Sequence, residues 1–100
     1  MAAALARLWT KYLPEIESRI ATIAAASTAL ENGALPADQR EAAHAAAHKL
    51  AGSLGTFGLY RGTEVARQAE FALAEDPPSA TSAELAAWVT ELQSEILNRS

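Results

Sequence analysis

The chain has no cysteine. That removes disulfides, thiolate nucleophiles and cysteine-based zinc sites together, and it fits a reducing, cytoplasmic setting. Aromatic residues make up only 6% of the chain, so large rings cannot dominate the core. No run approaches the roughly 20 apolar residues that span a bilayer. The opening Met1-Ala2-Ala3-Ala4 leads into Leu5-Ala6-Arg7-Leu8-Trp9, without the basic start and long apolar stretch of a signal peptide. β-Branched runs are few and period-two alternation is missing, which excludes a strand-rich domain. A formal net charge of −4 argues against nucleic acid as the main partner, since that needs a basic face.

What the chain does have is alanine, spread through a sequence that is 50% hydrophobic. Alanine is the strongest helix former and fills little volume, so closely packed helices are the expected architecture. With 100 residues there is room for one core and one domain, taken as 1–100. Leu5, Leu8, Trp9, Tyr12 and Leu13 recur at helical spacing, and Pro14 then marks a kink or a fresh start. Ile16, Ile20, Ile23 and Leu30 continue the apolar stripe to a stop at Asn32-Gly33. Pro36, Asp38 and Glu41 open a second helix that carries both histidines and fades around Gly55 to Gly58. Leu59, Val65, Ala66, Ala69 and Leu73, with Phe71 alongside, predict a third helix that breaks at Asp76-Pro77-Pro78-Ser79. Thr81 and Glu84 have capping-box spacing before a last stripe of Leu85, Trp88, Val89, Leu92 and Ile96. Short connections imply antiparallel neighbours. The expectation is an all-α, up-and-down antiparallel four-helix bundle with a short N-terminal helix kinked at Pro14.

At about 100° per residue, with His48 at zero, Ala43, Leu50, Leu54 and Phe57 fall at roughly 180 to 240°. These are core positions on the far side from His48. Glu41, His44, Ala45, Ala51, Gly52 and Gly55 lie within about 60° of it, a polar or small face that turns the imidazole to solvent. Gly52 stands where a side chain would drape over the turn that bears His48. A mid-helix glycine costs about 1 kcal/mol against alanine. Two glycines beside one histidine point to something large approaching the ring, although glycines near a helix end also cap or ease packing. His44 and His48 are four apart, a spacing used for metal sites, but Ala45 replaces the acid of an HExxH pattern and only two histidines exist. No metal site is expected.

The segment His48-Lys49-Leu50-Ala51-Gly52-Ser53-Leu54-Gly55-Thr56-Phe57-Gly58-Leu59 resembles the signature of histidine-containing phosphotransfer (HPt) domains. His48, Leu50, Gly52, Ser53, Gly58 and Leu59 match it, and the four-helix layout is similar to the family's. Leu8-Trp9-Tyr12 resembles the short lid helix that often precedes the bundle. Many members place a lysine three residues after the histidine, where this chain has Ala51.

The resemblance implies a phosphorelay intermediate without kinase activity of its own. His48 would accept a phosphoryl group from a receiver-domain aspartate, or within a histidine kinase pathway, and pass it to another receiver aspartate. A non-catalytic bundle that binds a receiver without transfer is the alternative. Phosphate-supporting candidates are Lys49, about 100° round from His48, and, across an antiparallel pair, Arg67 and Gln68. Glu70 or Glu64 would accept the imidazole Nδ1–H. The docking surface would comprise His44, Ala45, Ala51, Gly52 and Gly55 with the adjoining face of the third helix. Partners would be receiver domains of response regulators or hybrid histidine kinases, with magnesium on the receiver and no cofactor here. The expected setting is a cytoplasmic monomer that engages neither nucleic acid nor membrane.

Overall fold

The computed structural model describes residues 2–99; Met1 and Ser100, the ends of the expected 1–100 domain, lie outside the described residues. Four helices follow one another: α1 (Ala2–Glu31), α2 (Ala37–Thr56), α3 (Tyr60–Leu73) and α4 (Thr81–Arg99). Each packs on its neighbours in sequence and α4 returns to α1, giving an up-and-down four-helix bundle of 46 × 21 × 17 Å. The core is the set of stripes read from the sequence: Ile16, Ile20 and Ile23 from α1, Leu50 and Leu54 from α2, Val65 and Leu73 from α3, Leu85 and Leu92 from α4.

Two glycines set the turns. At the end of α1 the Gly33 N–H donates to the Leu30 carbonyl (3.0 Å) and the Ala34 N–H to that of Ala29 (3.0 Å). At the end of α2 Gly58 donates to Gly55 (3.1 Å) and Leu59 to Leu54 (2.9 Å). Both are Schellman closures, and both put glycine at positive φ, +89° for Gly33 and +74° for Gly58. The tight reversal after Thr56 lays α3 directly back along α2.

That α2–α3 pair is lined with small residues: Ala43, Ala47 and Ala51 on one side, Gly62, Ala66 and Ala69 on the other. A Cβ on Gly62 would lie 3.0 Å from Leu54 Cδ1, so the helices approach too closely for alanine to fit without adjustment. Arg40 fixes the register at the far end, its Nη1 donating to the carbonyls of Leu73 (2.8 Å) and Ala74 (3.0 Å). A cation on the last carbonyls of a helix is favourable both as a cap and against the helix dipole.

Two local expectations need correction. There is no separate short helix before Pro14: α1 runs unbroken from Ala2 to Glu31 with Pro14 inside it. Proline in a helix interior costs about 3 kcal/mol, but Trp9 and Ile16, seven residues apart on one face, are both buried and hold the helix on course. Trp9 meets Phe57 edge-on at 5.1 Å and lies under the Arg99 guanidinium at 5.1 Å, so these first turns close the end of the bundle. Second, Thr81 and Glu84 do not form a capping box. Thr81 is already the first helical residue, and its N–H donates to the Pro78 carbonyl at 2.9 Å. The carbonyls of Pro78 and Ser79 supply the acceptors instead, the latter for the Ser82 N–H at 3.1 Å. Leu8, Tyr12 and Phe71, which shared helical spacing with the core, are exposed, and Trp88 is only half-buried.

Because Gly58 sits at positive φ, Gly58→Ala lowers unfolding free energy by about 1–2 kcal/mol in urea titration. An unchanged midpoint would show that the reversal does not depend on the left-handed residue.

Candidate functional site

His48 lies in the middle of α2, on the side away from Leu50 and Leu54. Its side chain is 72% exposed, and Nδ1 is 2.7 Å from Glu70 Oε2 on α3. A carboxylate only accepts, so Nδ1 must carry the proton and donate it. The ring's other nitrogen, Nε2, keeps its lone pair in this tautomer. Glu70 is itself only 26% exposed, which restrains the carboxylate that orients the ring. The close α2–α3 packing brings it within reach.

Of the two acceptors the sequence allowed, Glu70 is the one present. Glu64 pairs instead with Arg61 (3.3 Å), which also holds Glu91 through Nε at 2.7 Å. Those contacts, with the Glu91 hydrogen bond foremost, push the Arg61 guanidinium pKa further up and tie α3 to α4.

The surroundings of His48 are open on one side and packed on the other. A Cβ on Gly52 would meet no heavy atom within 4 Å, so nothing inside the bundle requires glycine there. Ala45 is exposed, and His44 is half-buried. Gly55 faces inward toward α3, where a Cβ would rest 3.6 Å from Thr63 Oγ1. Ala51 does not belong to the docking surface, because it is buried at 5% exposure. Small side chains let α3 come so near that the buried arc of α2 extends to about 60° from His48.

Lys49 and Arg67 are both exposed, and among the described residues neither has an ion-pair partner. Lys49 stands on the α1 side of the histidine. Arg67, one turn before Glu70, stands on the α3 side. Gln68 is exposed too, but about 160° round α3 from Glu70, where it lines a groove toward α4. On the helix wheels Lys49 flanks His48 on α2 and Arg67 lies within about 60° of Glu70 on α3, whereas Gln68 lies on a different side of α3. One polar contact had no signal in the sequence: Arg19 on α1 donates from Nη1 to Ser53 Oγ at 3.0 Å, on the Lys49 side. A separation of 34 residues carries no local pattern that could have announced it.

Among the described residues there is no group of three His, Cys, Asp or Glu side chains able to hold a metal ion. None of the described helices is long and apolar enough to cross a membrane.

A scan against protein-family models matches the Hpt domain over residues 7–98. Searches of curated proteins and of solved structures returned no match. The matched span takes in all of α2, α3 and the His48–Glu70 pair, together with nearly all of α1 and α4. This chain belongs to the Hpt domain family, whose members are phosphocarriers of phosphorelays and lack kinase activity of their own.

Proposed function

We propose that His48 is the phosphoryl-accepting residue of a relay intermediate, loaded from a receiver aspartate and unloaded onto another. The observation that carries this reading is the hydrogen bond from His48 Nδ1 to Glu70, which leaves Nε2 free on an exposed ring. In the step, the Nε2 lone pair attacks the phosphorus of an aspartyl phosphate. The N–P bond forms as the bond from phosphorus to the carboxylate oxygen breaks, and the aspartate leaves as carboxylate. The Nδ1 proton stays on the ring, where Glu70 offsets the positive charge the imidazole acquires. The reverse sequence returns the phosphoryl group to a second aspartate.

Phosphoryl transfer depends mainly on positioning and on charge neutralisation. Magnesium belongs to the receiver in this scheme, and this chain contributes the oriented nucleophile. Lys49 and Arg67 supply mobile positive charge on either flank of the phosphoryl group. Gly52 leaves the space through which the receiver's aspartyl phosphate reaches the ring. The chain acts as a cytoplasmic monomer, and its partners are receiver domains of response regulators or hybrid kinases.

Incubation with a phosphorylated receiver should place acid-labile, alkali-stable phosphate on the chain; His48→Ala abolishes it and His44→Ala retains it. A chain that binds receiver yet never labels would be a docking adaptor, and the reading would fail. Glu70→Ala slows loading about tenfold, the rate equivalent of a charge-assisted hydrogen bond of about 1.5 kcal/mol; rapid-quench kinetics at an unaltered rate would remove Glu70 from the account. Gly52→Ala separates stability from function. It raises unfolding free energy by about 0.8–1 kcal/mol, since its methyl meets open space, while slowing transfer from the receiver. Equal or faster transfer would show that the glycine clears no path.

A further inference from the structure

Glu70 directs its charge at one partner. Among the described residues its carboxylate makes no hydrogen bond or ion pair other than the one to His48 Nδ1. At 26% exposure it is also screened less than a fully solvated acid. The same contact acts differently once His48 carries phosphate.

With Nε2 bonded to phosphorus, Nδ1 is the one ring nitrogen that can still gain or lose a proton. While it keeps that proton, cleavage of the N–P bond returns the electron pair to Nε2 and releases a neutral imidazole. Once the proton is lost, the same cleavage must release an imidazolate, a far poorer leaving group. A carboxylate accepts hydrogen bonds and cannot donate. Deprotonation of the loaded ring would therefore leave two acceptors facing each other across 2.7 Å and forfeit a charge-assisted hydrogen bond. The geometry resists it.

We propose that Glu70 sets the lifetime of phosphorylated His48. By holding the Nδ1 proton on the loaded ring, it keeps the phosphoryl group transferable at pH values where an unpartnered phosphohistidine has become inert. The acceptor is an aspartate carboxylate during relay, or water during spontaneous loss. With water, the oxygen adds to phosphorus as the N–P bond breaks, giving dihydrogen phosphate and neutral His48 with Nδ1 still protonated. Glu70 is a positioning residue in this step, acting through the leaving group and touching neither phosphorus nor acceptor. It suits the chain to transit rather than storage. The inference rests on the reading of His48 as phosphoacceptor.

By helix position, the charged or titratable side chains on the His48 side are Glu41, His44 and Lys49 of α2 with Arg67 and Glu70 of α3. From α1 come Arg19, which reaches Ser53, and its partner Glu15. Among the described residues α4 does not pack against α2. Of these side chains only histidine ordinarily titrates near neutrality, so every chain in the pH series carries His44→Ala.

Phosphoramidate loads His48 without a receiver, and after its removal the loss of phosphate is followed from acid to alkaline pH. On the acid plateau the ring is protonated in every chain, and Glu70→Gln loses phosphate within a few-fold of the rate seen with Glu70. As pH rises, loss slows about one pH unit earlier in Glu70→Gln, which is then about tenfold slower on the alkaline limb. Unfolding the loaded chain in urea separates His48 from Glu70 without a substitution and moves the profile the same way. Glu64→Gln, the same change at a carboxylate paired with Arg61, leaves the profile in place. A profile unmoved by Glu70→Gln or by urea, or moved equally by Glu64→Gln, overturns the control of lifetime by Glu70 while His48 remains the acceptor. A wild-type chain that a phosphorylated receiver never labels overturns the underlying reading instead.

Discussion

The close approach of α2 and α3 is the constraint on which the site depends. Glutamate is a short reach from its own helix, and a carboxylate 2.7 Å from an imidazole on the neighbouring helix requires the backbones to run near each other. Alanine and glycine along the seam permit that approach, and Gly62 marks its limit, since a Cβ there would lie 3.0 Å from Leu54 Cδ1. The Gly58 reversal and the Arg40 clamp hold the pair in register from opposite ends. Larger residues along this seam would separate the helices and leave the ring without its acceptor. Composition and chemistry are thus linked: the alanine-rich core is what allows one histidine to be oriented from outside its own helix.

The remaining helices serve that pair. α1 spans the length of the bundle, and its isoleucine stripe, with Leu85 and Leu92 of α4, fills the space opposite α2 and α3. Trp9 seals one end against Phe57 by edge-on packing, next to the turn that sets the α2–α3 register. Its indole N–H has no hydrogen-bond partner among the described residues, so shape and dispersion hold that end. None of these contacts touches His48. They confine the α2–α3 seam to one arrangement, and the outward face stays free for exchange with a partner.

Much of this was legible in the residues because helical periodicity is a local signal. The stripes Ile16–Ile20–Ile23 and Leu85–Leu92–Ile96 repeat at three and four, and every one of these side chains is buried. The outward turn of His48 followed from the same arithmetic, and glycine marked the stops at Asn32-Gly33 and around Gly55 to Gly58. What could not be read was the register between helices. Glu64 and Glu70 were equivalent candidates until packing put His48 beside Glu70; Glu64 pairs with Arg61, one turn away on its own helix. Ala51 was misplaced for a related reason, since a wheel gives direction but not how far a neighbour's surface wraps round it. Pro14 shows the reverse case, a strong local break signal overridden by the burial of Trp9 and Ile16 on either side.

The account turns on which nitrogen of one ring carries the proton, and long-range proton–nitrogen correlation NMR of the neutral His48 side chain reads this directly. It predicts a protonated-type resonance for Nδ1 and a lone-pair-type resonance for Nε2, with that balance lost in Glu70→Ala. A ring protonated at Nε2 in the wild-type protein, or tautomers unaffected by removal of the carboxylate, would contradict it.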